Sequence, residues 1–173
     1  MPVELYRIDD RLIHGQVVVG WGRPLDLGFV VLVDDEVAAS DWEQELYRMG
    51  VPPEMEVFFH SVDEAAAALP RYQRHARPGI VLTGDVETMR RLAAAAAAAA
   101  GRDGGHAPIR AVNLGGVHHR PGRIQRMRYV YLAPDEEAAL RALARMGIAV
   151  TAQDVPSARP VPLDDVLAGR GDG

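Results

Sequence analysis

The sequence contains no cysteine and no lysine, and all 19 of its basic residues are arginines. Disulfides, thiolate metal sites, a cysteine nucleophile and a Schiff-base lysine are therefore excluded. No apolar run approaches the roughly 20 residues that span a bilayer, and the charged start MPVELYRIDDRL does not suit a signal peptide. We therefore expect a cytoplasmic protein.

The charge balance of the chain is acidic. Its 173 residues carry 24 acidic and 19 basic side chains, a formal net charge of -5. This balance argues against nucleic-acid binding, which normally uses a basic surface. The length and a hydrophobic content of 48% suit one packed domain over residues 1–173.

Strand-length apolar runs alternate with helical patterns along the chain, which is typical of a parallel sheet with crossover helices. Strands are predicted at 3–9, 28–35, 55–61, 79–85, 109–116, 126–132 and 148–155, and helices at 15–22, 41–50, 61–74, 86–100, 134–147 and 162–169. We therefore predict an α/β fold: a single doubly wound domain with a mainly parallel sheet of about seven strands and about six helices on both faces.

Several helix ends carry local signals. Ser40 or Asp41 can cap the second helix, and Ser61 with Glu64 forms a capping box at the start of the third. Pro70 should end or kink that third helix. The eight alanines at 93–100 favour a long helix, which the segment GRDGG would close as a glycine-rich loop.

Ligands of such sheets bind beyond the carboxyl ends of the strands. The densest polar cluster there is DDRLIHGQ, which places Asp9, Asp10, Arg11 and His14 within six residues. A neutral imidazole is a nucleophile, and a phosphoryl group on its ring could be held by the Arg11 fork and by loop amides. From the residues alone, a structural histidine in a charged turn remains the alternative.

Two other strand ends carry candidate residues. The Thr83 hydroxyl, followed by Gly84, could reach phosphoryl oxygens if the fourth strand neighbours the first, or it could cap its strand. Asn113, Gly115 and Gly116 indicate a tight turn that needs positive φ. They could donate an amide to the site, or their role could be purely structural.

The remaining histidines and arginines have less specific patterns. His118 and His119, with His106 nearby, do not predict a metal site, because adjacent histidines point in different directions and no third ligand recurs at a suitable spacing. The only basic concentration contains Arg120, Arg123, Arg126 and Arg128. It is either a solvated strand face or a rim that receives an acidic partner.

Several segments of the sequence resemble one known family. RIDDRLIHGQVVVGW is very close to the N-terminal signature of the IIB proteins of the mannose/sorbose class of the phosphoenolpyruvate-dependent sugar phosphotransferase system (PTS). VLVDDEVAASD, IRAVNLGGVHHRPGR and GIAVTAQDVPSARPVPLDDVL resemble later segments of the same family. The resemblance covers almost the whole chain.

The resemblance implies that His14 accepts a phosphoryl group at Nδ1 from a phosphohistidine of a IIA component and donates it to a sugar held by the membrane subunits IIC and IID. We expect His14 and Arg11 to be catalytic, with no cofactor and no metal, because an arginine and backbone amides can meet the transition-state charge. The expected phosphate-binding residues are Asp10, Leu12, Ile13, Gly15, Thr83 and Gly84.

The family also implies a location in the cytoplasm with peripheral association to the permease. The sequence does not decide the oligomeric state, and a homodimer is compatible with it. The alternative function is a regulatory phosphohistidine module with no sugar permease downstream.

Overall fold

The computed structural model describes residues 2–103 and 109–172, which form nine strands and seven helices. The strands are β1 (Val3–Ile8), β2 (Phe29–Val33), β3 (Glu56–His60), β4 (Gly79–Thr83), β5 (Ala111–Leu114), β6 (Ile124–Met127), β7 (Val130–Leu132), β8 (Ala149–Ala152) and β9 (Val161–Pro162). The helices are α1 (Gly15–Val18), α2 (Asp35–Ala38), α3 (Asp41–Arg48), α4 (Val62–Gln73), α5 (Val86–Asp103), α6 (Pro134–Arg145) and α7 (Leu163–Leu167).

Seven strands form one sheet in the order β3-β2-β4-β1-β5-β8-β9. Neighbouring strands are parallel except β8 and β9, which are antiparallel. The predicted mainly parallel, seven-stranded sheet is confirmed, and β4 does neighbour β1. Because β1 lies between β4 and β5, the residues that follow it emerge between the ends of two other strands.

The composition of the sheet differs from the prediction in one strand. The predicted strand 126–132 is instead part of the β6–β7 hairpin, a separate two-stranded sheet with a turn at Arg128 and Tyr129. Met127, Val130 and Leu132 are all buried, so the apolar pattern reads as one continuous strand. The turn contains no glycine, proline or asparagine that would predict it. The seventh strand of the main sheet is instead β9, which has only two residues.

Helices cover both faces of the sheet, as predicted. β2 and β4 are buried along their whole length, which explains their continuous apolar sequences. The larger core cluster includes Leu69 of α4, Leu92 of α5 and Leu140 of α6. A second cluster includes Val17 of α1 and Val37 of α2.

The predicted helix starts are confirmed at two places. The Ser40 hydroxyl accepts a hydrogen bond from the third residue of α3, and Ser61 and Glu64 form the reciprocal capping box of α4. Pro70 does not end α4, because the helix continues beyond it to Gln73. Packing of the apolar face of α4 therefore outweighs the one backbone hydrogen bond that proline removes.

The alanine run forms the middle of α5, where Ala93 and Ala96 are buried. The helix extends past the predicted end at residue 100 to Asp103. The segment GRDGG, predicted as a glycine-rich loop at 101–105, is instead helical as far as Asp103. Its last two residues, 104–105, and His106 after them lie outside the described residues.

Candidate functional site

The segment 9–14 joins β1 to α1 at the carboxyl edge of the sheet. Asp9 N–H donates to the Thr83 carbonyl at 2.9 Å, and Asp10 N–H donates to the Gly116 carbonyl at 2.8 Å. These bonds extend the pairing of β1 with its two neighbours, so the segment starts from a fixed backbone. His14 at its end is exposed.

Helix α1 is shorter than predicted, ending at residue 18 rather than 22. The His14 carbonyl accepts hydrogen bonds from the amides of Val17 and Val18, both at 2.9 Å, so His14 directly precedes the helix. A helix dipole is a sum over aligned peptide units, so this short helix contributes little of it. Most of the positive charge at this position therefore comes from side chains.

Those side chains form a cluster of two guanidiniums around one carboxylate. Arg11 Nε and Nη2 donate to the two oxygens of Asp9 at 2.9 and 2.8 Å, and Arg7 Nη2 donates to Asp9 Oδ2 at 3.0 Å. The side chains of Arg7 and Asp9 are fully buried, whereas Arg11 is 21% exposed. These three side chains carry one net positive charge, and Arg11, at the outer end of the cluster, also lies 3.9 Å from the Asp154 carboxylate.

Arg7 connects β1 to β5 and to the segment that follows β8. It donates to Asn113 Oδ1 on β5 and to the carbonyls of Gln153 and Asp154 after β8, at 2.8 and 3.2 Å. Its guanidinium carbon lies 4.7 Å from the ring centroid of Trp21. Arg7 is not among the predicted site residues, although a single arginine within an apolar strand, two residues before Asp9, indicates a buried charged group with a partner.

The cluster shifts the titration of its members. Burial lowers the pKa of Arg7, and the charge of Asp9 opposes this without cancelling it. Burial also acts to raise the pKa of Asp9, but hydrogen bonds and charges from Arg11 and Arg7 outweigh it and hold that pKa below its usual value. Hydrogen bonding to Asp9 raises the pKa of Arg11. All three side chains are thus charged at neutral pH.

Of the two glycines after β5, Gly115 is required for space rather than for backbone conformation. Among the described glycines, positive φ occurs at Gly122, Gly147 and Gly169, so the prediction of positive φ at 113–116 is wrong. A Cβ on Gly115 would overlap the Arg7 guanidinium and lie 2.8 Å from Asp9 Oδ2.

The predicted phosphate-binding residues of the loop have different environments. Leu12 adopts a left-handed conformation with φ of 55°, and its amide donates to the Asp9 carbonyl at 3.0 Å. The Ile13 side chain is buried in the smaller core cluster. Gly15 is exposed at the start of α1, and a Cβ there would meet nothing within 4 Å. These positions make a tight turn that presents His14 to solvent.

Thr83 and Gly84 lie beside this turn. The buried Thr83 hydroxyl donates to the Asp85 carbonyl at 3.1 Å, which is the strand-end capping alternative. Gly84 packs against Leu12, since a Cβ there would lie 2.8 Å from Leu12 Cδ2. Both residues therefore shape the loop in this structure.

Asp10 and His118 form a second side-chain contact at the loop. Asp10 Oδ2 accepts the His118 main-chain N–H at 2.7 Å, and Asp10 Oδ1 lies 2.5 Å from His118 Nδ1. The ring of the neighbouring His119 instead meets Tyr131 edge-on, with centroids 5.7 Å apart. The two histidines thus point in different directions, as predicted. Across residues 2–103 and 109–172, no group of three or more histidines and acids is arranged to hold a metal ion.

The arginines that follow Gly116 are partly neutralised. Arg123 makes a two-point ion pair with Glu136 at 2.8 Å, and Arg126 donates to Glu137 at 2.6 Å. Both acids belong to the first turn of α6. The hairpin is therefore less positive than its sequence indicates.

A cavity of about 580 Å³ lies between the β6–β7 hairpin and the segment after β8. Its lining includes Arg128, Tyr129, Asp154 and Arg159. Burial, with the charge of Asp154, raises the pKa of Tyr129 to about 12. Because Asp154 Oδ1 is also 3.9 Å from Arg11 Nη2, the cavity adjoins the charged cluster.

No helix within the described part of the chain has both the length and the apolar character needed to cross a membrane.

The chain is similar to known proteins along nearly all of its length. The profile of the family described as "PTS system sorbose subfamily IIB component" matches residues 3–172. The sorbose-specific PTS EIIB component of Klebsiella pneumoniae is 31% identical over 170 residues, which are 96% of each chain. The mannose-specific PTS EIIAB component of Escherichia coli strain K12 is 29% identical over 172 residues, which are 97% of this chain and 49% of that protein.

The fold is similar to a solved structure as well. The crystal structure of the IIBSor domain of the sorbose permease from Klebsiella pneumoniae superposes with a TM-score of 0.81 at 29% identity. The superposition covers 97% of this chain and 98% of the other.

Proposed function

Because this chain belongs to the sorbose subfamily of PTS IIB components, we propose that it relays phosphoryl groups to a sugar through His14. The observation that carries the proposal is the exposure of His14 at the end of a loop whose start is fixed by the Arg7–Asp9–Arg11 cluster. A nucleophile that receives its substrate from another protein must be accessible, and its substrate is an anion that the positive cluster attracts.

The reaction comprises two transfers. In the first, the unprotonated His14 ring nitrogen forms a bond to phosphorus while the N–P bond of a IIA phosphohistidine breaks and the donor ring keeps the electron pair. In the second, a sugar hydroxyl forms the new O–P bond, the His14 N–P bond breaks, and the hydroxyl proton is released. In both, the positive charge of Arg11 stabilises the negative charge of the transferring group.

The partners follow from the same assignment. The mannose-specific relative is named EIIAB, and this chain aligns with about half of it. This name supports a IIA component as the phosphoryl donor. The acceptor is a sugar delivered by IIC and IID permease subunits, with which the chain associates at the cytoplasmic side of the membrane.

The test follows radiolabelled phosphate from phosphoenolpyruvate through the general PTS components and a IIA protein to this chain. We expect acid-labile, base-stable label on the wild type and on the control His119→Ala, but none on His14→Ala, which should stay folded because His14 is exposed. Label on His14→Ala at the wild-type level would refute the assignment. Label that forms on His14 but never reaches any sugar in the presence of permease membranes would favour the regulatory alternative.

A further inference from the structure

Asp10 orients the imidazole of His118. An ionised carboxylate only accepts hydrogen bonds, so the short contact between Asp10 Oδ1 and His118 Nδ1 places a proton on Nδ1. Nε2 is then the ring nitrogen left to meet a ligand. A carboxylate on one histidine nitrogen commonly fixes the tautomer for work by the other.

The backbone of His118 is held on both sides. Its N–H donates to Asp10 Oδ2 at 2.7 Å, and its carbonyl accepts from Arg123 Nη1 at 2.7 Å. Arg123 is itself held by Glu136. The ring is therefore positioned by its surroundings although its side chain is 60% exposed.

The ring is not needed to join the two loops. Two hydrogen bonds already connect them, from Asp10 N–H to the Gly116 carbonyl and from His118 N–H to Asp10 Oδ2. Any residue except proline at position 118 would supply that main-chain donor. The contact at Nδ1 adds orientation of the imidazole itself. A purely structural role does not account for it.

The ring also lies close to the outer guanidinium of the cluster. The position that a Gly116 Cβ would occupy is 3.4 Å from His118 Cε1 and 3.5 Å from Arg11 Nε. His118 and Arg11 thus flank the same glycine, beside the loop that leads to His14. One point beside Gly116 is therefore within contact distance of both side chains.

We propose that His118, oriented by Asp10, binds the phosphoryl group through Nε2 during its transfer to or from His14. The inference rests on the proposed function of His14. Because phosphoryl oxygens accept hydrogen bonds, Nε2 takes part as an N–H donor, and the ring binds phosphate without carrying it.

Two substitutions by amide residues test the two ring nitrogens of His118 separately. The amide of His118→Asn can replace Nδ1 and keep the bond to Asp10, whereas the longer amide of His118→Gln can reach the position of Nε2. His119→Asn is the matched control, since His119 is also exposed and points elsewhere. Circular dichroism and urea unfolding verify that each variant is folded.

The measurement is the single-turnover rate of label transfer from a phosphorylated IIA protein. We expect His118→Asn to be about 10- to 100-fold slower than the wild type, the effect of one hydrogen bond to a charged group, with His118→Gln intermediate and His119→Asn unchanged. Transfer by His118→Asn at the wild-type rate, or faster than by His118→Gln, would overturn the inference and leave the function of His14 intact. A wild type that accepts no label would refute the proposed function and this inference together.

Discussion

Arg11 and Asp9 form a two-point ion pair, in which Nε and Nη2 of Arg11 donate to the two carboxylate oxygens at 2.9 and 2.8 Å. The same carboxylate accepts a hydrogen bond from the fully buried Arg7 at 3.0 Å. One buried acid therefore holds two guanidiniums, one in the interior and one at the surface. This arrangement connects the core of the sheet to the loop that carries His14.

Replacing Asp9 with asparagine should strongly destabilise the fold. The variant would leave the Arg7 guanidinium buried without its counter-charge, which typically costs about 3–5 kcal/mol of unfolding free energy. Urea denaturation at neutral pH measures it. The control Asp165→Asn removes the exposed ion pair with Arg170 and should cost no more than about 1 kcal/mol.

The stability contributed by Asp9 should also depend on pH. Despite its burial, the two arginines hold the pKa of Asp9 below its usual value of about 3.9. Ionised Asp9 therefore contributes fully above that usual value, and the contribution is lost as the pH falls towards the lower pKa of the folded state. Unfolding curves should show a smaller gap between wild type and Asp9→Asn at pH of about 3 than at about 7. A gap that stays constant would contradict the ion-pair account.

Replacing Arg11 with lysine should slow phosphoryl transfer while retaining the charge. Lysine cannot reproduce the two parallel bonds to Asp9, so its ammonium would be less precisely placed. We expect label acceptance to be about 10-fold slower, which corresponds to about 1.4 kcal/mol of activation free energy. Arg90→Lys, which breaks a similar two-point pair with Glu87 on α5, is the control and should transfer at the wild-type rate. Equal rates for both variants would remove Arg11 from the mechanism.

A methyl group at Gly115 should destabilise the protein. Since the added Cβ would overlap the guanidinium of Arg7, Gly115→Ala should cost about 1–3 kcal/mol in urea unfolding, as overpacking does elsewhere. Gly101→Ala is the opposite case, because a Cβ there meets nothing within 4 Å and the residue is in α5. It should gain up to about 1 kcal/mol of helix propensity. Two changes of the same sign would contradict this distinction.

The two tryptophans should report different environments. Trp21 is 4% exposed and packs on Arg7, whereas Trp42 on α3 is 74% exposed. Trp42→Phe should therefore leave stability nearly unchanged and retain an emission that acrylamide quenches weakly. Trp21→Phe should retain only a red-shifted, strongly quenched emission. Similar quenching of the two variants would show that Trp21 is not enclosed as described.

The elements that sequence analysis predicted correctly are those whose burial imposes a pattern. β2 and β4 must be apolar throughout because helices cover both of their faces. The capping box at Ser61 and Glu64 is equally local, since its bonds span three residues. The β6–β7 hairpin was missed because its turn lacks the usual turn residues, and β9 is too short to have a pattern.

The site shows the same division. His14 and Arg11 stand in one short motif, so the resemblance to the family was enough to single them out. Arg7 was read only as part of a strand, because its partners Asn113 and Gln153 lie 106 and 146 positions away. Gly115 was predicted to need positive φ, but it does not adopt that conformation. Glycine is required there because the Arg7 side chain, from the neighbouring strand β1, occupies the space of a Cβ.

The sequence by itself determined the α/β fold class, the family and the histidine proposed to carry phosphate, because each depends on residues close together in the chain. Only the tertiary structure decided which side chains surround that histidine's loop. The Asp10–His118 contact joins residues 108 positions apart and exists because β1 pairs with β5, which brings their following loops together. Which strands become neighbours is decided by the packing of the whole sheet, and no local segment contains that information.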